Sequence, residues 1–460
     1  MTYIKKVISN CNDFFIFAKM NRTSYQFQPE SISEFKTQLL FWAQQYKTAI
    51  WLDSNNYKQK HSNFDAVLAV DAISEIETDY NNGLNKLKEF QTNVNDYIFG
   101  YLSYDLKNDV ENLHSNNFDG LHFPDLYFFQ PKKLYLLKGN QVEIQYLNCV
   151  DDELEADLNT IKNIKEEQSD SLCSDIKIKL RIHKDEYFDK VNTMLTHIHR
   201  GDIYEANFCQ EFFAENTCIN PLETYKKLNN ISKPPFASFV KLQDKYVLCA
   251  SPERYIKKED DIIISQPIKG TAERSESIAE DNQLKTDLLN DEKERSENIM
   301  IVDLVRNDLS KTALKGSVEV KELCKIYTFD QVHQMISTVT SKVDVKTHPI
   351  DIIKSTFPMG SMTGAPKVSA MNIIENLEET KRGVYSGAVG YFTPEHDFDF
   401  NVVIRSILYN QEKSYVSYAV GGAITAKSSP EKEYEECLLK AKAMQFVLMN
   451  ARVPLLQTIE

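Results

Sequence analysis

With 460 residues, 42% of them apolar and 11% aromatic, the chain has the length for more than one average domain and the apolar content for a packed core, which excludes a disordered tail. Its 67 acidic against 53 basic residues leave a formal net charge of −14. That balance excludes a general nucleic-acid surface, because counterion release needs clustered lysine and arginine, but it leaves room for a small anionic ligand that senses only its local site.

Near the N-terminus, Phe14–Ala18 is too short an apolar run for a signal sequence, and no run approaches the roughly 20 apolar residues of a membrane span. A cytoplasmic chain with no membrane partner and no nucleic-acid partner is expected. Residues 1–150 read as a mixed, strand-rich region. Strands are predicted at Thr48–Leu52, Asp96–Tyr104 and Pro124–Phe129, with helices near Ser33–Gln45 and Asn82–Val94. Asp151 to Ser174 is acidic and polar, including Glu166–Ser171, and reads as a solvated helix and linker. The domain boundary is placed there: 1–150, a linker at 151–175, and a second domain over 176–455.

In that second part, Tyr187, Val191, Leu195 and Ile198 recur at helical spacing over Asp185–His199, and Gly201 is positioned to cap the helix. A strand at Ile203–Phe208 and a helix near Leu222–Leu228 follow, then a hairpin of Phe236–Val240 with Tyr246–Ala250. Asp261–Ser265 is a β-branched run that reads as a buried strand. A long helix is predicted from about Glu280 to Leu304, a second hairpin from Asn401–Tyr409 and Ser414–Val420, and a final helix opening at Ser429-Pro430, a capping serine before a proline at the first helical position. Eight cysteines are scattered with no CxxC pair, which excludes zinc and redox motifs and fits buried thiols of a reducing compartment.

Chemistry concentrates in a few places. Pro267 should end the pairing of the 261–265 strand, leaving Lys269 between Ile268 and Gly270 where the chain leaves the sheet. Held against apolar walls, a lysine loses its proton more readily and becomes a nucleophile or base; the plainer reading is a surface lysine at a strand end. Glu294 and Glu297 share one helical face, as do Glu433, Glu436 and Lys440 on the last helix. Two such faces brought together make an oxygen-rich cage for Mg²⁺; apart, they are ordinary solvated faces. Gly360–Lys367 is a small-residue loop before a helix whose amides can meet an anion, or a plain turn. Gly421 and Gly422 follow a strand and permit close backbone approach. Arg405 falls in an apolar strand, where a guanidinium needs an anionic partner. His333 and Gln334 read as a satisfied polar pair in the core.

Together these segments resemble the chorismate-utilising enzymes. The matching stretches are Gly201-Asp-Ile-Tyr204, Ser251-Pro-Glu-Arg254, Pro267-Ile-Lys-Gly-Thr271, the run Glu297–Asp308, Gly360–Lys367, Arg382–Tyr391, and Gly421-Gly422 through Glu433–Lys440. They run in the family's order over residues 180 to 450, with looser likeness at Gly100–Tyr104 and Phe123–Asp125. The resemblance implies an α+β fold with a large two-sheet antiparallel sandwich flanked by helices. It implies Mg²⁺ held by Glu297 and Glu436 with Glu294 and Glu433 in support. Lys440, Thr271 and the Gly270 amide would meet the ring carboxylate of chorismate, and Tyr385, Arg405 and the amides of Gly421 and Gly422 the enolpyruvyl carboxylate.

The branch of the family rests on three positions. Pro-Ile-Lys-Gly-Thr is similar to the aminodeoxychorismate synthase signature, in which the lysine, here Lys269, adds to the ring as the 4-hydroxyl leaves, and Glu253 matches the acid that protonates it. Glu205 stands where hydroxylating members carry a water-activating lysine and amine-utilising ones usually carry glutamine. Gln334 stands where anthranilate synthases carry a histidine suited to removing a ring proton. The resemblance thus implies conversion of chorismate and ammonia to 4-amino-4-deoxychorismate, for p-aminobenzoate and folate. Because the chain ends soon after its last helix, the ammonia is expected from glutamine through a separate glutaminase subunit, as a heterodimer. The alternatives are anthranilate synthase component I and an inert chorismate-binding regulatory subunit.

Overall fold

The computed structural model describes residues 21–57, 61–164 and 176–449. The Phe14–Ala18 run, the linker segment 165–175 and the final residues 450–455 of the expected second domain lie outside the described residues.

The strands make one continuous antiparallel ladder that turns on two long strands, Ala66–Thr78 and Leu126–Lys138. On one side, residues 133–138 pair with Gln141–Leu147, which pairs with Arg22–Phe27. Ala66–Thr78 pairs in turn with Thr48–Asp53, and the ladder continues through Phe236–Leu242, Lys245–Ser251, Ser406–Asn410 and Tyr415–Thr425 to Glu205–Ala214. On the other side, residues 126–129 pair with Ile98–Leu102. From there the order is Ala388–Phe392, Phe398–Val402, Arg254–Glu259, Ile262–Ser265 and Val332–Lys342, which also pairs with Ile268–Glu273 and Glu319–Thr328. The register of the two long strands slips between Ala72 and Ser74, a bulge that bends them where the ladder divides into two sheets.

Period-2 alternation assigns each strand's side chains to layers. Ile50, Phe99, Tyr101 and Val389 meet in the inner layer, drawn from both sheets. Their neighbours Ala49 and Trp51 face outward under Phe35, Leu39, Leu228 and Met444 of the helices over one sheet. Ile98, Leu102 and Ala388 face Leu87, Ile301, Val302 and Ile353 of the helices over the other. The expected α+β architecture, two antiparallel sheets face to face with helices outside, is the one observed. Strands on either side of the 151–175 segment pair directly, Thr48–Asp53 with Phe236–Leu242 and Ile98–Leu102 with Ala388–Phe392. Within that segment, Leu154–Asn163 is a helix that buries Leu158 and Ile161.

Five local expectations are corrected. The long helix breaks at Asp291 into Ile278–Asn290 and Glu292–Ser310, because Asp291 adopts extended backbone and its side chain accepts the Glu294 amide as a new N-cap. The run 401–409 is two strands, Phe398–Val402 and Ser406–Asn410. Between them stands Arg405 at φ +51°, so it is not a strand residue. Gly421 and Gly422 lie inside the Tyr415–Thr425 strand, opposite Cys209 and Phe208. Ser429 precedes the helix Pro430–Leu448, but its hydroxyl donates to Glu431 Oε2 and caps no backbone amide.

Candidate active site

Pro267 interrupts pairing as expected, yet the chain does not leave the sheet. Ile262–Ser265 stops, and Ile268–Glu273 resumes against the same partner, Val332–Lys342. The register slips between Ile268 and Thr271, leaving Lys269 and Gly270 as a bulge, a device that re-aims a side chain. Gly270 takes φ +90°, and a Cβ there would stand 3.1 Å from Glu294 Oε2 and 3.2 Å from Leu288 Cδ1. The dihedral is the reason for glycine; the side chains of Glu294 and Leu288, from the helices 292–310 and 278–290, would have to give by a few tenths of an ångström for a Cβ.

The bulge places Lys269 among acids, not against apolar walls, and this overturns the expected loss of its proton. Burial alone would lower its pKa, but Glu205, Glu297, Glu253 and Glu294 outweigh it and hold the pKa above the usual lysine value. The balance of these neighbours favours the charged form of Lys269. Glu253 is 4% exposed, and burial pushes its carboxyl up to about 7 against the opposing influence of the Ser361 hydroxyl, Lys269 and Arg405. A carboxyl so placed is half protonated near neutrality and able to donate a proton. Glu205 is 2% exposed, its Oε2 has no hydrogen-bond partner, and burial raises its pKa while Lys269 lowers it. Arg405 makes no ion pair with any described residue; burial lowers its pKa and Glu253 opposes that. With Glu253 acting on it but closing no ion pair, the guanidinium is suited to an anion from solution.

The two acidic faces do meet. Glu294 and Glu297 come from the helix 292–310, and Glu433 and Glu436 from the helix 430–448. Lys293 joins them, its Nζ 3.8 Å from Glu297 Oε1 and 3.9 Å from Glu433 Oε1. Burial raises Glu297 to about 7, and its Oε1 accepts no hydrogen bond. Burial also raises Glu294 and Glu433, whereas Lys440, 2.7 Å from Glu436 Oε1, draws Glu436 below its usual value despite burial. Gly422 backs directly on this cage, since a Cβ there would stand 3.2 Å from Glu433 Oε2. No three acidic, histidine or cysteine side chains among the described residues converge as a ligand group. Mg²⁺ needs only one or two carboxylates plus waters and substrate oxygens, so a buried carboxylate with an orphaned oxygen, facing a second acidic helix, fits that ion.

The remaining predicted residues divide. Thr271 is exposed beside the bulge. Lys440 also donates to the Gly421 carbonyl at 2.9 Å, so it serves Glu436 and the strand in this structure. Tyr385 is buried and its hydroxyl donates to Cys209 Sγ at 3.7 Å. A Cβ on Gly421 would lie 2.4 Å from Phe208 O and 2.5 Å from Cys209 Sγ, so that glycine serves close strand packing. His333 is satisfied, by Thr328 Oγ1 and Asp281 Oδ1, each at 3.0 Å, while the buried Gln334 Oε1 has no partner. In the 360–367 loop the contribution to the site is the Ser361 hydroxyl against Glu253. Sequence reasoning missed Ser361, Lys293 and the Glu378–Arg382 pair. Arg382 donates to Met362 O at 2.6 Å and Asn207 O at 2.7 Å, and Glu378 accepts the Cys209 amide at 2.8 Å. Lys293 and Glu297, and Glu378 and Arg382, are spaced i,i+4, which was the available signal.

A family model described as chorismate binding enzyme matches residues 26–446. The chain belongs to that family. Among its relatives, aminodeoxychorismate synthase component 1 of Bacillus subtilis is 32% identical over 366 residues, 76% of each chain. Anthranilate synthase component 1 of Aquifex aeolicus is 34% identical over 363 residues, 75% of this chain and 73% of that one. A probable chloroplastic aminodeoxychorismate synthase of Oryza sativa is 41% identical over 264 residues, 56% of this chain but only 29% of the rice protein. The crystal structure of anthranilate synthase component I from Streptococcus pneumoniae superposes with a TM-score of 0.74 at 26% identity, covering 85% of this chain and 95% of that one. As a chorismate binding enzyme, the chain carries its catalytic candidates on a fold shared by relatives with different named activities.

Proposed function

We propose that this chorismate binding enzyme aminates chorismate at C4, giving 4-amino-4-deoxychorismate, with ammonia supplied by a separate glutaminase subunit. The observation that carries this reading is Lys269, presented by a bulge beside the buried acid Glu253. Chorismate is a dianion, and the site offers it the unpaired Arg405 and the exposed Thr271. In the proposed sequence Lys269 first gives up a proton to the ionised Glu253 carboxylate, which becomes the acid of the next step, and Glu205, which leads the carboxylates acting on Lys269, is the group that most resists that loss. The neutral amine bonds to the ring as the 4-hydroxyl departs, taking a proton from Glu253 to leave as water. Ammonia then bonds at C4, the bond to Lys269 breaks, and its electron pair returns to the amine; two displacements replace one difficult substitution. Glu297 and Glu436 would hold Mg²⁺, whose chemistry here is to offset their charge and fix the ring carboxylate.

Anthranilate synthase component I is the second reading, favoured by the Aquifex aeolicus relative at 34% identity. The two separate by trapping. With chorismate and no ammonia, intact-mass analysis should find an adduct that maps to the peptide containing Lys269, and Lys269→Ala should lose it and fall about 100-fold or more in amination. Undiminished amination in Lys269→Arg and Lys269→Ala removes the nucleophile and the reading with it.

A further inference from the structure

The acid cage already contains a cation. Lys293 lies one turn before Glu297 on the same helix, and its Nζ stands 3.8 Å from Glu297 Oε1 and 3.9 Å from Glu433 Oε1 of the facing helix. At those lengths it is committed to neither carboxylate and bridges both. The charges of Glu436 and Glu294 favour its protonated form as well. The distribution of other partners makes it specific. Glu436 has Lys440 at 2.7 Å, and Glu433 Oε1 has the Ser428 hydroxyl at 2.6 Å, but Glu297 Oε1 has no hydrogen bond at all. Glu297 is 8% exposed, and Lys269 and Lys293 are the cations that act on its charge; of the two, Lys293 is the one that also reaches the facing helix. The Lys293 side chain is itself 43% exposed, and its four-carbon stem can swing into water without disturbing the packing beneath.

We propose that Lys293 is the resident counter-cation of this cage, spanning the two helices in the metal-free chain and yielding its place as Mg²⁺ binds, so that it sets the metal affinity. The proposal rests on the assignment of Glu297 and Glu436 as Mg²⁺ ligands. A divalent ion on the same carboxylates would face a like charge a few ångströms away, so uptake is an exchange of one cation for another and not the filling of a vacant site. Lys293 touches no reacting atom in this account; it is a positioning residue that keeps the two acidic faces together until metal arrives.

The test is calorimetric titration of the full-length, metal-free chain with Mg²⁺, with Mn²⁺ electron paramagnetic resonance as a second probe, for wild type, Lys293→Met and Lys293→Arg. Lys293→Met should bind both ions about tenfold more tightly, having lost the competing charge, and Lys293→Arg should stay within about twofold of wild type. Equal or weaker binding by Lys293→Met overturns the proposal. If wild type binds neither ion, the ligand assignment fails; if wild type binds and the variants match it, the assignment stands and the role of Lys293 alone is rejected.

Discussion

At the scale of single residues the account depends on charge. Burial and its carboxylate neighbours act oppositely on Lys269, and the carboxylates win. Replacing the foremost of them, Glu205→Gln, should therefore lower the Lys269 pKa. Limited acetylation of the protein across a pH series, read on the peptide containing Lys269, should show the labelling midpoint moving to lower pH; an unchanged midpoint would separate the two side chains. Glu253 offers a test of linkage. Its folded pKa of about 7 lies above its ordinary value of 4.5, so its contribution to stability is fully present below about pH 4.5 and is lost as pH rises through about 7. Glu253→Gln mimics the protonated form. It should melt with the wild type near pH 5 and be more stable at pH 8 by an amount on the order of 3 kcal/mol, while amination falls about 100-fold. Sequence pointed to Lys269 and the four cage glutamates through their local setting and spacing, and to Glu253 through the family likeness of Ser251-Pro-Glu-Arg254. It misjudged the Lys269 environment because Glu205, Glu253 and Glu297 arrive from three other elements, and a sequence neighbour such as Ile268 says nothing about them.

At the scale of elements, the break at Asp291 was missed although a local signal was present. The run from Glu280 to Leu304 has no glycine or proline to interrupt it, but Asp291 followed three residues later by Glu294, ahead of the apolar run, is the pattern of a helix start, and the Asp291 side chain does accept the Glu294 amide. The cap fixes where the helix starts, and hence where Glu294 and Glu297 point. Asp291→Ala should cost about 1 kcal/mol in chemical denaturation and weaken Mg²⁺ binding through looser presentation of the two glutamates; unchanged stability and binding would mean the break is held by packing alone. Hairpins and helices with clear periodicity, such as Lys184–Arg200 with its Gly201 cap at φ +89°, stand where the pattern placed them. Arg405 and the Gly421-Gly422 pair did not, since a kink between strands and a glycine inside one look alike in sequence.

For the whole molecule, the sheet sandwich was legible from the family likeness, but its closure was not. Near the site the buried Arg382 ties the turn at Met362 to Asn207 of the strand Glu205–Ala214 while pairing with Glu378. Arg382→Met should destabilise the fold by about 3–5 kcal/mol by stranding a buried carboxylate, and Arg382→Met with Glu378→Gln should recover part of that loss in thermal unfolding. Recovery of nothing would place the stabilisation in the backbone contacts of Arg382. Incubated with chorismate, Mg²⁺ and ammonium, then separated by chromatography with a coupled pyruvate assay, the chain alone should yield 4-amino-4-deoxychorismate and almost no pyruvate, and p-aminobenzoate should form only once an aminodeoxychorismate lyase is added. Anthranilate with stoichiometric pyruvate from the chain alone would contradict the account.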